Sequence, residues 1–246
     1  MRRKRFFALL RMAVWATIGL TACSVKENRS DCPCWLTVRA SYPNEVVSVW
    51  YGTRTLFEDL DGQQVDLQVP RGTVDVLASR GRFTVEEGHQ MDELFASVSH
   101  VDTQAEEVEV IPYLHKQFAT VYVEFKDTED GRVPHTLRVD GNVKGADKRT
   151  LQPVPGVFRC TPEESSGGGY ELRVPRQKDD SLVLRRFDAE GSEFAPIPLG
   201  QIIKMAGFDW SEESLGDVSV LADIPAMTFQ ITVMDWEGPI TMTVTI

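Results

Sequence analysis

From residue 35 onward, apolar and polar residues trade places with a period of two, segment after segment, and glycine, proline or asparagine breaks each run. A β-strand points successive side chains to opposite faces, so this period predicts sheets with one buried and one wet face. Residues 35–41 put Leu36, Val38 and Ala40 on one face against Thr37, Arg39 and Ser41. Residues 46–51 form a second candidate strand, reached through Pro43-Asn44, and residues 64–69 a third, with Val65, Leu67 and Val69 inward. Pro70-Arg71-Gly72 breaks the run before residues 73–79, which send Val74 and Val76 inward. Residues 107–111 then oppose Val108 and Val110 to Glu107 and Glu109. In between, Met91, Leu94 and Phe95 recur at spacings of three and four, which predicts a helical turn or two over residues 89–95.

The second half repeats the pattern. Residues 117–126 set Val121, Val123 and Phe125 against Tyr122, Glu124 and Lys126, and residues 128–131 turn the chain towards a return strand at 136–140. A polar excursion over 140–155 ends at residues 156–160, a serine- and glycine-rich connector covers 165–169, and residues 170–174 and 181–187 form a further pair. The apolar residues of 197–206 do not alternate cleanly. The last two strands are joined by residues 235–239: Phe229, Ile231 and Val233 line one, and Ile240, Met242, Val244 and Ile246 line the other against an outer row of Thr241, Thr243 and Thr245. Many short strands without a βαβ rhythm predict an all-β chain of sandwiches. The boundary is expected near residues 112–115, giving β-sandwiches over 32–112 and 113–246. The final strand is either an ordinary member of its parent sheet or an edge open to another subunit, since strand addition needs only free backbone groups.

The first 31 residues follow a different logic. Arg2, Arg3, Lys4 and Arg5 precede an apolar stretch over 6–20, the layout of a secretory signal, and the stretch is too short and wrongly flanked for a membrane span. Leu20-Thr21-Ala22-Cys23 resembles the lipobox of bacterial lipoproteins, in which the cysteine thiol takes a diacylglyceryl group and the new amino terminus is acylated. Several acyl chains on one residue make a firm anchor, because each buried methylene contributes about 0.8 kcal/mol. Residues 1–22 are therefore expected to be a signal peptide and 23–31 a polar tether carrying lipid on Cys23. Ser24, with no Asp beside the cysteine, resembles the outer-membrane sorting pattern, and Lys26-Glu27 resembles the charged signal that exports lipoproteins to the surface in Bacteroidetes. Loss of Arg2, Arg3, Lys4, Arg5 and Arg11 with the signal takes the formal charge from −11 to −16, which repels nucleic acid and anionic lipid.

Little in the sequence supports a reaction centre. A glycosidase needs two carboxylates across a cleft of roughly 5–10 Å, and Asp59, Asp61, Glu86 and Glu87 all fall at turns, where acidic residues serve solubility. No nucleophile elbow, zinc-protease helix, phosphate loop or calcium loop occurs. His89, His100, His115 and His135 are scattered, and Cys32-Pro33-Cys34 offers at most two soft ligands where a closed zinc site wants four. No enzyme, metal or cofactor is expected. With Cys23 acylated, Cys32, Cys34 and Cys160 remain, an odd number that leaves at least one thiol unpaired; Cys160 could pair with either of the others. Trp50, Trp210 and Trp236 could stack on sugars, which would make a surface carbohydrate- or protein-binding lipoprotein, but packing in a core or between domains is the ordinary role for each.

The order of several short motifs resembles one family. A lipobox followed closely by Cys32-Pro33-Cys34-Trp35-Leu36, a mid-chain Tyr113-Leu114-His115-Lys116-Gln117-Phe118-Ala119, Gly207-Phe208-Asp209-Trp210 and Val233-Met234-Asp235-Trp236 are similar to the FimB/Mfa2 family of fimbrial anchor lipoproteins. The chain departs from that family in being short and in having Cys34 beside Cys32. The resemblance implies two tandem transthyretin-like sandwiches, attachment to the outer membrane at the base of a fimbria, contact with fimbrillin-type subunits through β-strand addition, and a limit on shaft length. Fimbrillins of the same superfamily mature by cleavage after an arginine that frees the first strand. Here Arg29 precedes that strand and would release only the tether, whereas Arg71 and Arg80 lie in turns after early strands. Partner contact is assigned to Ile240, Met242, Val244 and Ile246.

Overall fold

The computed structural model describes residues 32–58, 64–126, 136–165, 168–235 and 238–245. The described residues are all-β apart from one short helix, and their strands form four sheets. The first two sheets use β1 (Cys34–Arg39), β2 (Val46–Tyr51), β3 (Arg54–Glu58), β4 (Gln64–Val69), β5 (Thr73–Arg80), β6 (Phe95–Asp102), β7 (Glu107–Val110) and β8 (His115–Lys116). Their orders are β4-β1-β7 and β3-β2-β5-β6-β8. The other two use β9 (Phe118–Phe125), β10 (Thr136–Ala146), β11 (Pro153–Cys160), β12 (Glu163–Glu164), β13 (Tyr170–Pro175), β14 (Val183–Phe187), α1 (Leu199–Met205), β15 (Asp217–Asp223), β16 (Thr228–Asp235) and β17 (Gly238–Thr245). These are ordered β11-β10-β14 and β12-β13-β9-β15-β16-β17. One local arrangement occurs twice: β1 lies antiparallel to β4 and parallel to β7, as β9 lies antiparallel to β13 and parallel to β15.

The period of two has the expected effect on packing. Leu36 and Val38 face Val47, Val49, Val74, Val76 and Ala78 in a core between the first two sheets. Val121 and Val123 join Val139, Phe158, Leu172, Val218, Val220, Phe229 and Ile231 in the larger core between the other two. In that second sandwich a sheet of three strands must cover one of six, so α1 supplements it, packing against β14 and β16.

β3, β6 and β15 are strands where none was expected, and two further segments differ from the sequence expectation in helix content. Residues 89–95 form no helix: residues 81–94 run as an extended arm across to the second pair of sheets. Val85 donates to Lys144 O at 2.8 Å, Met91 to Arg173 O at 2.9 Å, and Ala146 donates back to Phe83 O at 2.8 Å. The spacing of Met91 and Leu94 reflects burial in a third cluster, with Trp50, Leu77, Phe83, Ala96, Phe118 and Ala146, on the outer face of the β2-β5-β6 sheet. Conversely, residues 199–205 are helical where no helix was expected. The available signal was Pro198 immediately before and Gly207 just after.

A charge-free edge strand as candidate functional site

β17 ends the six-stranded sheet and pairs on one side only, with β16, from Thr228↔Thr245 to Asp235↔Gly238. Its inner row is Ile240, Met242 and Val244, opposite Val233, Ile231 and Phe229. Of the three, Val244 is buried, while Ile240 is 53% and Met242 43% exposed. The cause is the size mismatch between the two sheets. The covering layer of β10, β11, β14 and α1 reaches Phe229, Ile231 and Val233 on β16 but, on β17, only Val244. The outer row of Thr241, Thr243 and Thr245 is exposed, with Thr241 and Thr232 hydroxyls 3.0 Å apart. Ile246 and Trp236 lie outside the described residues, as does Cys23 with the signal and tether.

Sheet edges are normally guarded by charge, because an open ladder invites pairing. Here β3 carries Arg54 and Glu58, β4 Asp66, β7 Glu107 and Glu109, β8 Lys116, β11 Arg159, β12 Glu163 and Glu164, and β14 Arg185 and Arg186. Among the described edge strands, β17 alone has no charged side chain. From Ile240 onward its composition, β-branched and apolar with no charge and no proline, favours pairing with another strand.

The other candidates from the sequence are distributed differently. Cys32 is exposed, whereas Cys34 and Cys160 are buried in separate cores, and all three thiols are free. Burial pushes the Cys34 thiol above its usual range and the Cys160 thiol to about 11. Trp50 and Trp210 are buried, so neither offers a sugar a stacking face. Arg71 is tied down, donating from Nε to Cys32 O at 2.9 Å and also to Gln104 O, and the Arg80 guanidinium lies 5.0 Å from the Phe95 ring. Glu86 pairs with Arg82 on the surface, while Asp59, Asp61 and Arg29 are outside the described residues. No group of three or more possible metal ligands gathers among the described residues, and no helix there is long and apolar enough to cross a membrane.

A groove of about 1000 Å³ lies where the two pairs of sheets meet, bordered by His100, His115, Leu151, Lys178, Phe208 and Glu212 among others. Its back wall is structural. Arg176, just past β13, donates to Gln117 Oε1 at 3.2 Å and to the carbonyls of Trp210, Glu212 and Glu213. Burial lowers the pKa of this guanidinium. Gln117 in turn donates to Ala96 O on β6 at 3.3 Å, so one hydrogen-bonded chain ties β6, the link between the sheets, and the loop after α1.

No known family profile matches the sequence, and no curated protein matches it by sequence. Solved structures do match in three dimensions. A protein from Bacteroides thetaiotaomicron, provisionally described as polysaccharide binding, superposes with a TM-score of 0.61 at 14% identity, over 86% of this chain and 98% of its own. A provisionally described adhesin from Bacteroides ovatus gives 0.53 at 14% identity, over 89% and 97%. The fimbrial anchor protein Mfa2 from Porphyromonas gingivalis gives 0.51 at 11% identity, over 85% and 99%. At such identities the likeness is one of fold, and it spans nearly the whole of each chain.

Proposed function

We propose that this chain is a lipid-anchored fimbrial subunit that attaches a fimbrial shaft to the outer membrane and limits its length. The observation that carries the reading is the open β17 edge, which has no charge on either face and leaves Ile240 and Met242 of its inner row without cover. Backbone groups along such an edge bind another subunit's strand, and Ile240, Met242, Val244 and Ile246 supply the side-chain contacts. Cys23 holds the lipid, residues 1–22 are the cleaved signal, residues 23–31 the tether, and the domains are divided as 32–112 and 113–246. Support comes from the lipobox in the sequence and from a fold shared with a fimbrial anchor and a provisionally described adhesin. Two of the three tryptophans on which a carbohydrate-binding lipoprotein would depend, Trp50 and Trp210, are buried, and the third, Trp236, lies outside the described residues.

Removal of residues 238–246 with the tether intact tests the reading. The shortened protein should stay in the membrane fraction and lose its co-purifying fimbrial subunits. Cys23→Ala should instead shed the protein from the membrane with subunit binding retained. A folded deletant that still carries its fimbria, or a Cys23→Ala protein that stays membrane-bound, would overturn the corresponding half.

A further inference from the structure

We propose that the groove between the two pairs of sheets takes an extended peptide bearing a carboxylate, which adds as a strand to the open stretch of β6. The backbone selects the class of ligand. β8 covers β6 only at Phe95 and Ala96. On that side Gln117 donates to the Leu94 carbonyl from its backbone N–H at 2.9 Å and to the Ala96 carbonyl from its side chain at 3.3 Å. Backbone groups along a strand point alternately to its two sides, so Val98 and His100, like Ala96, turn their N–H and C=O away from β5. No described strand pairs with them there, and both residues line the groove. Open ladder groups are met by another extended backbone, and a groove of about 1000 Å³, at the upper end of the roughly 300–1,000 Å³ of small-molecule sites, has room for several residues of one.

The polar groups of the groove narrow the choice further. Of its cations, Arg176 is held by backbone carbonyls, Lys204 by Asp180, and Arg149 by the Thr53 carbonyl and the Trp50 ring. Lys178 lines the groove, is exposed, and makes no hydrogen bond or ion pair with a described residue. The carboxylates are engaged in turn: Glu213 pairs with His115, Asp179 accepts from Asn142, and Asp209 accepts from Ser211. Trp210, in the same lining, is 9% exposed, and its indole N–H, which can only donate, has no acceptor among the described residues. A free ammonium and a free donor both call for a carboxylate. The Trp210 ring is buried edge-to-face against Phe208 at 4.7 Å, so it gives a sugar no face to stack on.

The probe is a library of random hexapeptides displayed on phage and panned against the full chain. Enriched peptides should share an Asp or Glu at one position. Made with amidated ends, they should lose binding when one alternate set of backbone nitrogens is methylated and keep it when the other set is, because only one set faces β6. Lys178→Glu should weaken binding at least tenfold, and a Lys in place of the peptide's acid should restore it. Lys178 is exposed, so folding is expected to survive. No enrichment, binding indifferent to which set is methylated, or binding indifferent to Lys178→Glu overturns the proposal. Binding that Met242→Lys abolishes also overturns it, since such a peptide sits on β17. The groove and the β17 edge are separate sites, and either can bind without the other.

Discussion

Asp140 on β10 accepts hydrogen bonds from Arg185 at 2.6 Å, Arg138 at 3.2 Å and Arg159 at 3.3 Å, joining β10, β11 and β14 through one carboxylate. Burial alone would raise its pKa; the three guanidinium groups outweigh burial and hold it below the usual range. Because the folded value is depressed, the stabilisation is complete above the unfolded carboxylate range and is lost as pH falls through the folded value. Asp140→Asn is expected to cost about 2 kcal/mol at pH 7 by urea denaturation, with the gap to wild type closing below about pH 4. The thiols give a second expectation at this scale. Iodoacetamide should modify Cys32 in the native protein and leave Cys34 and Cys160 unmodified until the protein unfolds, as read by mass spectrometry. Which residues would be buried was largely readable from the sequence: Leu36, Val38, Val121 and Val123 are all fully buried, as strict alternation implies. The exposure of Ile240 and Met242 was not readable, because alternation names a face and cannot say whether another layer covers it.

At the scale of elements, alternation located strands well and failed where chain segments answer to distant partners. The end of the arm, from residue 89, looked helical because Met91 and Leu94 both need burial, yet the arm's backbone hydrogen bonds go to residues such as Arg173 and Lys144, far along the chain. Gly145 marks how closely the arm docks. Its φ of +146° is one that other residues rarely adopt, and a Cβ there would sit 1.9 Å from the Phe83 carbonyl oxygen. Gly145→Ala is therefore expected to lower stability by about 2–4 kcal/mol and to loosen the arm, seen as faster amide exchange at Val85 and Ala146. The short β3 escaped the sequence reading for a related reason. Arg54–Glu58 has charged ends and partly buried Leu56 and Phe57, so its apolar residues are adjacent rather than alternating. The openness of β17 is likewise a comparison between elements, visible only once each strand has its place in a sheet.

For the whole molecule, the hydrogen-bonded chain from Ala96 through Gln117 and Arg176 to the loop at 210–213 fixes one pair of sheets against the other. Arg176→Ala would leave buried carbonyls without donors, and a loss of about 3 kcal/mol is expected, with earlier proteolytic cutting in residues 209–216. Arg176→Lys should rescue little, since an ammonium cannot span the same fork of acceptors. Neither the arm nor this chain of bonds was legible in the sequence, which marked residues 112–115 only as the expected boundary between two sandwiches. β1 has a further consequence. It begins two residues after Cys32, lies between β4 and β7, and is paired with β4 from Cys34 to Arg39 and with β7 from Trp35 to Val38. A pull on the amino-terminal end therefore acts along the strand axis, in shear, so that the bonds to both neighbours must break together rather than unzip one by one. Tension along that strand is thus shared between two ladders at the first strand it reaches.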